Sequence, residues 1–223
     1  MTFSTEWDQR YLENTHLSIW PWSDLVSQVR RNCRSLDASS RVLELGCGAG
    51  ANIPFFQSLG VQYWAIEGSA SIVARLHARF PELRDRIVAG DFTQQLPFGP
   101  GFELVVDRAA LTHNDTTAIE ACLGHVWELL KPGGYFIGID WFSTNYREFP
   151  LGPPDADAYT RGNYERGPFT GTGRVHFSDE AHLRELFQRF EFVVLEEKIV
   201  RQFETEEDDL FAAWNLVVRK PDV

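Results

Sequence analysis

Five short β-branched and apolar runs between residues 41 and 141 alternate with helix-period segments. That alternation admits few folds: parallel strands joined by crossover helices that cover the sheet. The runs are RVLELG at 41–46, VQYWAIE ending at Glu67, RIVAGD ending at Asp91, FELVVD ending at Asp107 and YFIGIDW ending at Trp141. ANIPFFQSL reads as a short helix that tolerates Pro54 only near its start. Ser69 is placed to cap a helix in which Ile72, Val73, Leu76 and Phe80 share one face, and from Asp115 to Leu130 a second apolar stripe runs to the terminator Lys131-Pro132-Gly133-Gly134. Ser178 and Asp179 open a third helix carrying Leu183, Leu186, Phe187 and Phe190, and FEFVVLEEKIV and FAAWNLVVRK read as two last strands in an antiparallel hairpin. Before Arg41, Leu25, Val26 and Val29 mark one more helix.

At 223 residues the chain suits a single domain with an ordinary core. It divides into an N-terminal cap segment at 1–40, a core at 41–141, an insertion at 142–177 and a C-terminal helix and hairpin at 178–223. Lys and Arg total 21 against 32 Asp and Glu, a formal charge of −11 that argues against nucleic-acid or anionic-membrane partners, since both require a positive field. Cys33, Cys47 and Cys122 are too few and too scattered for a disulfide framework or a zinc site, so no metal is expected and a reducing compartment fits. The segment MTFSTEWDQRYLEN lacks the character of a signal peptide, and no run reaches the length of a membrane span. The expectation is a cytoplasmic protein, with its oligomeric state open.

In an open parallel sheet, ligands bind beyond the carboxyl ends of the strands, where strand order reverses. Gly46, Gly48 and Gly50 let the backbone turn sharply there and approach a ligand closely. Glu67, at the end of the next strand, is placed to accept hydrogen bonds from two ribose hydroxyls. Gly46, Gly48 and Ala51 also satisfy the dinucleotide fingerprint, so NAD or NADP competes for this turn. Glu44 beside the turn repels a pyrophosphate and favours a cationic ligand such as S-adenosylmethionine.

ELGCGAG at 44–50, Glu67, GDF at 90–92 and LLKPGG at 129–134 together resemble the motif series of the class I S-adenosylmethionine-dependent methyltransferases, over about residues 41–141. The resemblance implies a Rossmann-like α/β fold: a seven-stranded, mostly parallel sheet with an antiparallel C-terminal strand and helices on both faces. It implies that Glu44 and the turn of Gly46, Cys47, Gly48 and Gly50 hold the methionine end of the cofactor, that Glu67 takes the ribose, and that Asp91 and Phe92 take the adenine. Asn52, Gly68, Asp107 and Arg108 complete that cofactor set. The run Asp107-Arg108-Ala109-Ala110-Leu111 is similar to that of thiopurine-type methyltransferases, as is the spacing of Trp7, Arg10 and Tyr11. The Asp/Asn-Pro-Pro-Tyr signature of many nucleic-acid amino-methyltransferases is replaced by Asp107-Arg108-Ala109-Ala110.

Methyl transfer from a sulfonium is an in-line displacement, helped by alignment and exclusion of water, and needs a base only when the acceptor has a proton to lose. His113 is the candidate base, because a histidine's unperturbed pKa of about 6.5 suits proton transfer near neutrality; Asp140 is the second catalytic candidate. The stretch 142–177 is long for a connection, so it is read as an acceptor lid. With Trp141 just before it, the stretch supplies Tyr146, Tyr159 and Tyr164 as substrate contacts, and Arg161 and Arg174 as receivers for a substrate carboxylate or phosphate. Tyr11 and Trp20, near His16 and Trp22, are candidate cofactor contacts through their aromatic faces. The expected activity is methyl transfer to a small-molecule acceptor through oxygen, nitrogen or sulfur. The alternatives are an NAD(P)-dependent oxidoreductase and a non-catalytic S-adenosylmethionine-binding module.

Overall fold

A computed structural model describes residues 18–204 and 209–222. Tyr11, with Trp7, Arg10 and His16, lies outside the described residues. Seven strands form one sheet: β1 (Arg41–Leu45), β2 (Gln62–Glu67), β3 (Ile87–Ala89), β4 (Phe102–Arg108), β5 (Leu130–Phe142), β8 (Glu191–Gln202) and β9 (Asp209–Arg219). Their order is β3-β2-β1-β4-β5-β9-β8, with β9 antiparallel to both its neighbours and the pairings from β3 to β5 parallel. The hairpin read from the C-terminal runs is therefore present, and its second strand inserts between β5 and the first. Two short strands, β6 (Thr160–Arg161) and β7 (Val175–His176), pair separately.

Helices α1 (Ser23–Asn32), α2 (Ile53–Ser58) and α3 (Ala70–Arg79) cover one face, and α4 (Thr116–Leu129) and α5 (Glu180–Leu186) the other. Strand alternation sorts the core between them. Val42, Leu104, Ile137 and Val217 meet Leu25, Phe56 and Leu76 on the first face, while Leu43, Val105, Phe136 and Leu216 meet Ile119, Val126 and Leu183 on the second. Short polar side chains start three of these helices: Ser69 accepts from the Ile72 amide, Asp115 from Ala118 and Asp179 from His182. Pro54 sits in the first turn of α2, where its missing N–H costs no helical bond.

Two of the boundaries that differ from the sequence reading bear on the site and the sheet. Strand β3 stops at Ala89 rather than Asp91, because the Gly90 amide donates to the Glu67 carbonyl and the Asp91 carboxylate then accepts from both the amide and the hydroxyl of Thr93, closing a turn. Strand β5 begins at Leu130, which pairs with Phe102 ahead of the glycine pair.

Within 142–177 lies a third apolar cluster built on Tyr146, Tyr164, Phe169, Val175 and Phe177. The segment meets α5 through a buried histidine pair, His176 and His182, with Nε2 atoms 3.1 Å apart and the Tyr159 ring stacked 3.7 Å from that of His182. Among the described residues, no helix is long and apolar enough to cross a membrane.

Candidate functional site

The chain runs outward from β1 to β3 and returns to β4 on the other side of β1, so strand order reverses between β1 and β4. A cavity of about 460 Å³ opens beyond the carboxyl ends of these two strands. Its floor is the glycine turn. Gly46 has φ +63°, and a Cβ there would stand 2.2 Å from Ala110 Cβ, so only glycine lets the two turns approach. Glu67 holds the turn, with one carboxylate oxygen accepting from the Gly48 amide at 2.8 Å and the other from Ser69, the cap of α3, at 3.0 Å.

Beneath the turn Glu44 is buried and accepts from Asn52 Nδ2 at 2.7 Å and the Tyr63 hydroxyl at 2.5 Å, while Asn52 Oδ1 accepts from the Trp22 amide. Burial pushes its carboxyl up to about 7, against the lowering effect of those two hydrogen bonds. Because the folded value lies above the ordinary 4.5, this group's contribution to stability is fully present below about pH 4.5 and is lost as pH rises through about 7. Glu44→Gln removes that dependence. Across this window the stability of the variant relative to wild type is expected to rise by up to about 1.4 kcal/mol per pH unit, read by urea unfolding at pH 5 and pH 8. An unchanged difference would mean that Glu44 titrates normally.

The far half of the cavity is aromatic. Phe142 and Phe169 stand 4.9 Å apart edge to face, and Tyr146 and Phe211 5.1 Å apart, with Trp22 in the same lining. Arg108 enters from the end of β4, its guanidinium 3.6 Å over the Trp22 ring and 3.0 Å from Asp140. Asp140 also bonds Lys198, which reaches Asp24 of α1, so one chain of charges ties α1, β5 and β8 together. Asp107, fully buried, accepts from the amides of Ala110 and Leu111 and from the Trp141 indole at 2.7 Å. Burial raises its carboxyl to about 7.

His113 lines the cavity from the 3₁₀ turn Leu111–His113, where its ring meets Phe142 edge to face. Its Nδ1 lies 3.1 Å from the Arg174 carbonyl. A carbonyl oxygen can only accept, so in the neutral ring Nδ1 carries the hydrogen and Nε2 the lone pair.

Residues 42–134 match a family model described as a methyltransferase domain. A ubiquinone biosynthesis O-methyltransferase from Bradyrhizobium sp. (strain ORS 278) is 31% identical over 125 residues, 54% of this chain and 48% of that protein. Residues 42–134 form a class I S-adenosylmethionine-dependent methyltransferase domain. The chain spans about half the length of the curated relatives it matches. In fold it is similar to an S-adenosylmethionine-dependent methyltransferase of Methanosarcina mazei, with TM-score 0.66 and 21% identity over 92% of this chain and 99% of the other. It is similar also to the 1,6-didemethyltoxoflavin-N1-methyltransferase of Burkholderia thailandensis, with TM-score 0.65 and 20% identity over 98% of this chain and 84% of that one.

The donor set agrees with the cofactor of this family. Glu67 and Asp91 line the cavity around bare glycine backbone, with Glu44 buried beneath the turn and Arg108 as the cation among the described lining residues. That balance suits a sulfonium and an ammonium better than a pyrophosphate, and the nicotinamide reading is set aside.

The structure brings most of the expected cofactor set together: Glu44, Gly46, Cys47, Gly48, Asn52, Glu67, Gly68, Asp91, Phe92 and Arg108 all line the cavity, with His113 and Tyr146. Gly50 instead faces inward, where a Cβ would meet Leu76 and Ile53 at under 3 Å. Asp107 sits behind the lining, bracing the turn after β4. Trp20 is 77% exposed and off the cavity, whereas Trp22 lines it.

Several residues expected on the acceptor side lie off the cavity, their side chains engaged by neighbouring groups. Trp141 is fully buried behind Asp107, and Asp140 is engaged by Arg108 and Lys198. Tyr159 stacks on His182, and Tyr164 donates to the Glu148 carbonyl. Arg161 lies on the Phe149 ring and donates to the carbonyls of Phe149, Ala158 and Thr160; Arg174 pairs with Asp115 and Asp155. None of these six lines the cavity. Phe211 and Thr172 do, and the sequence reading assigned neither.

Proposed function

We propose that this protein transfers a methyl group from S-adenosylmethionine to a small, flat, protic acceptor, with His113 as the base. The observation that carries this reading is one cavity with two unlike halves: a glycine turn braced by Glu67, and an aromatic chamber bordered by His113. The cofactor supplies an activated methyl group on a sulfonium. Glu67 and the Gly46–Gly48 backbone hold its ribose and methionine portions, with Asn52, Gly68 and Arg108 beside them, and Asp91 and Phe92 take the adenine edge and face. Phe142, Tyr146, Phe169 and Phe211 pack against the acceptor ring, fix its approach and exclude water. His113 takes the acceptor's proton on Nε2, the nitrogen that its Nδ1 contact leaves basic.

A base is required for a hydroxyl or thiol and not for a neutral amine attacking through its lone pair, so the placement of His113 favours oxygen or sulfur over nitrogen. The relatives named as O-methyltransferases support oxygen. A binding module that keeps the cofactor but transfers nothing would share the glycine turn without needing the His113 geometry.

Calorimetric titration with S-adenosylhomocysteine tests the cofactor half. Wild type is expected to bind, and Glu67→Ala to weaken binding by about 1.5–3 kcal/mol, or roughly 10- to 150-fold, for loss of hydrogen bonds to a charged group. Equal affinities would remove Glu67 from the site. Turnover of a phenol or thiophenol panel, against none for the matching anilines, tests the acceptor half.

A further inference from the structure

We propose that Arg174 is a positioning residue for His113: its backbone carbonyl selects the histidine's tautomer, and its guanidinium, shared between Asp115 and Asp155, holds that carbonyl in place. The proposal rests on the reading of His113 as the base.

The sequence marks Arg174 as a receiver for an anionic substrate, but its charge is used within the protein. Its Nη1 lies 2.9 Å from Asp115 and its Nε 3.0 Å from Asp155. Asp115 is two residues beyond His113 and caps α4 with its other oxygen. The carboxylate that starts α4 therefore also fixes Arg174 relative to the turn bearing His113. Asp155 belongs to the turn leading into β6, where its amide donates to the Thr160 carbonyl. Arg174 thus bridges two elements of different sequence origin, and His113 Nδ1 meets the carbonyl of that same residue at 3.1 Å.

The approach to Arg174 explains why an anchor is needed. Gly167, Gly171 and Gly173 have φ of +88°, +65° and +75°, so the chain reaches Arg174 through glycines in the left-handed region, which restrain the backbone little. Beyond it, Val175 and His176 are fully buried and paired with β6. The carbonyl is fixed on one side by that strand and on the other by the guanidinium. The arginine side chain is 43% exposed, and pairs this open contribute little to stability, so removing it should leave the fold standing.

Long-range ¹H–¹⁵N spectra of the imidazoles give a test independent of turnover, with His113 assigned by the signals lost in His113→Gln. Wild type should show a protonated Nδ1 and an unprotonated Nε2 above the histidine's pKa. In Arg174→Met the two shifts should move toward each other as both tautomers are populated, and turnover should fall about tenfold. Asp155→Ala removes only the Nε contact and should move the shifts the same way by less, which keeps the test available if Arg174→Met does not fold. A wild-type His113 protonated on Nε2, or wild-type shifts in both variants, would overturn the proposal. Failure of the base reading shows separately: full turnover in His113→Ala overturns that reading, whatever the spectra of the Arg174 variant.

Discussion

His113→Ala is expected to lower turnover by about 10²- to 10⁴-fold, the usual contribution of a positioned general base, while S-adenosylhomocysteine affinity stays within about twofold of wild type. The two readouts separate because the groups that shape the cofactor end do not pass through His113. The glycine turn is held by Glu67, and Glu44 by Asn52 and Tyr63. His113 comes from a different turn, and its ring borders Phe142 in the aromatic chamber. His113→Gln is the matched variant, since an amide can keep a polar contact to the Arg174 carbonyl but cannot act as a base near neutrality. Both variants should lose the same large factor in kcat, read with a phenolic acceptor at saturating cofactor. Wild-type kcat in His113→Gln alone would make the ring a packing element; wild-type kcat in both would end the base assignment.

The parts of this molecule that were legible in the sequence are those set by local chemistry. Ser69, Asp115 and Asp179 cap helices because a short oxygen side chain beside an apolar-periodic run meets amides that have no helical partner. Glu67 and the glycine turn meet because they end adjacent parallel strands, β1 and β2, whose register places Leu45 beside Ile66. The acceptor side was read less well for a physical reason. An arginine in a loop advertises an anion site, yet it finds carboxylates and carbonyls of the protein itself first: Arg161 within its own segment, and Arg174 through Asp155 and the α4 cap Asp115. Trp141 and Phe142 are neighbours on β5 and face opposite sides of the sheet, so only one of them reaches the cavity, and composition does not say which. Phe211 enters because β9 inserts beside β5, setting Ala213 against Phe142 across the antiparallel ladder. That is a long-range pairing that no local pattern announces.

Gly46→Ala should be the most damaging small substitution in the glycine turn, and Gly60→Ala measures how much of the damage is backbone strain. Both glycines lie in the left-handed region, at φ +63° and +71°, but a Cβ at Gly46 would meet Ala110 Cβ at 2.2 Å whereas at Gly60 it would meet nothing within 4 Å. The left-handed conformation costs a non-glycine residue about 1–2 kcal/mol, and overpacking a rigid contact adds about 1–3 kcal/mol. For a chain of this length each kcal/mol moves the midpoint by about 2–4 °C, so Gly60→Ala should melt about 2–8 °C below wild type and Gly46→Ala about 4–20 °C below it. The contact at Gly46 is poorly placed to relax. Ala110 sits on a turn whose amides are tied to the buried Asp107, and the Gly46 amide is tied to the Ile66 carbonyl at 2.8 Å. Whichever turn yields, Gly46 and Ala110 both line the cavity, so the displacement should also weaken S-adenosylhomocysteine binding in Gly46→Ala and leave it unchanged in Gly60→Ala. Equal melting points and equal affinities in the two variants would mean that the turn is free to move away from Ala110, and that the close approach of the two turns is not what shapes the cofactor end of the site.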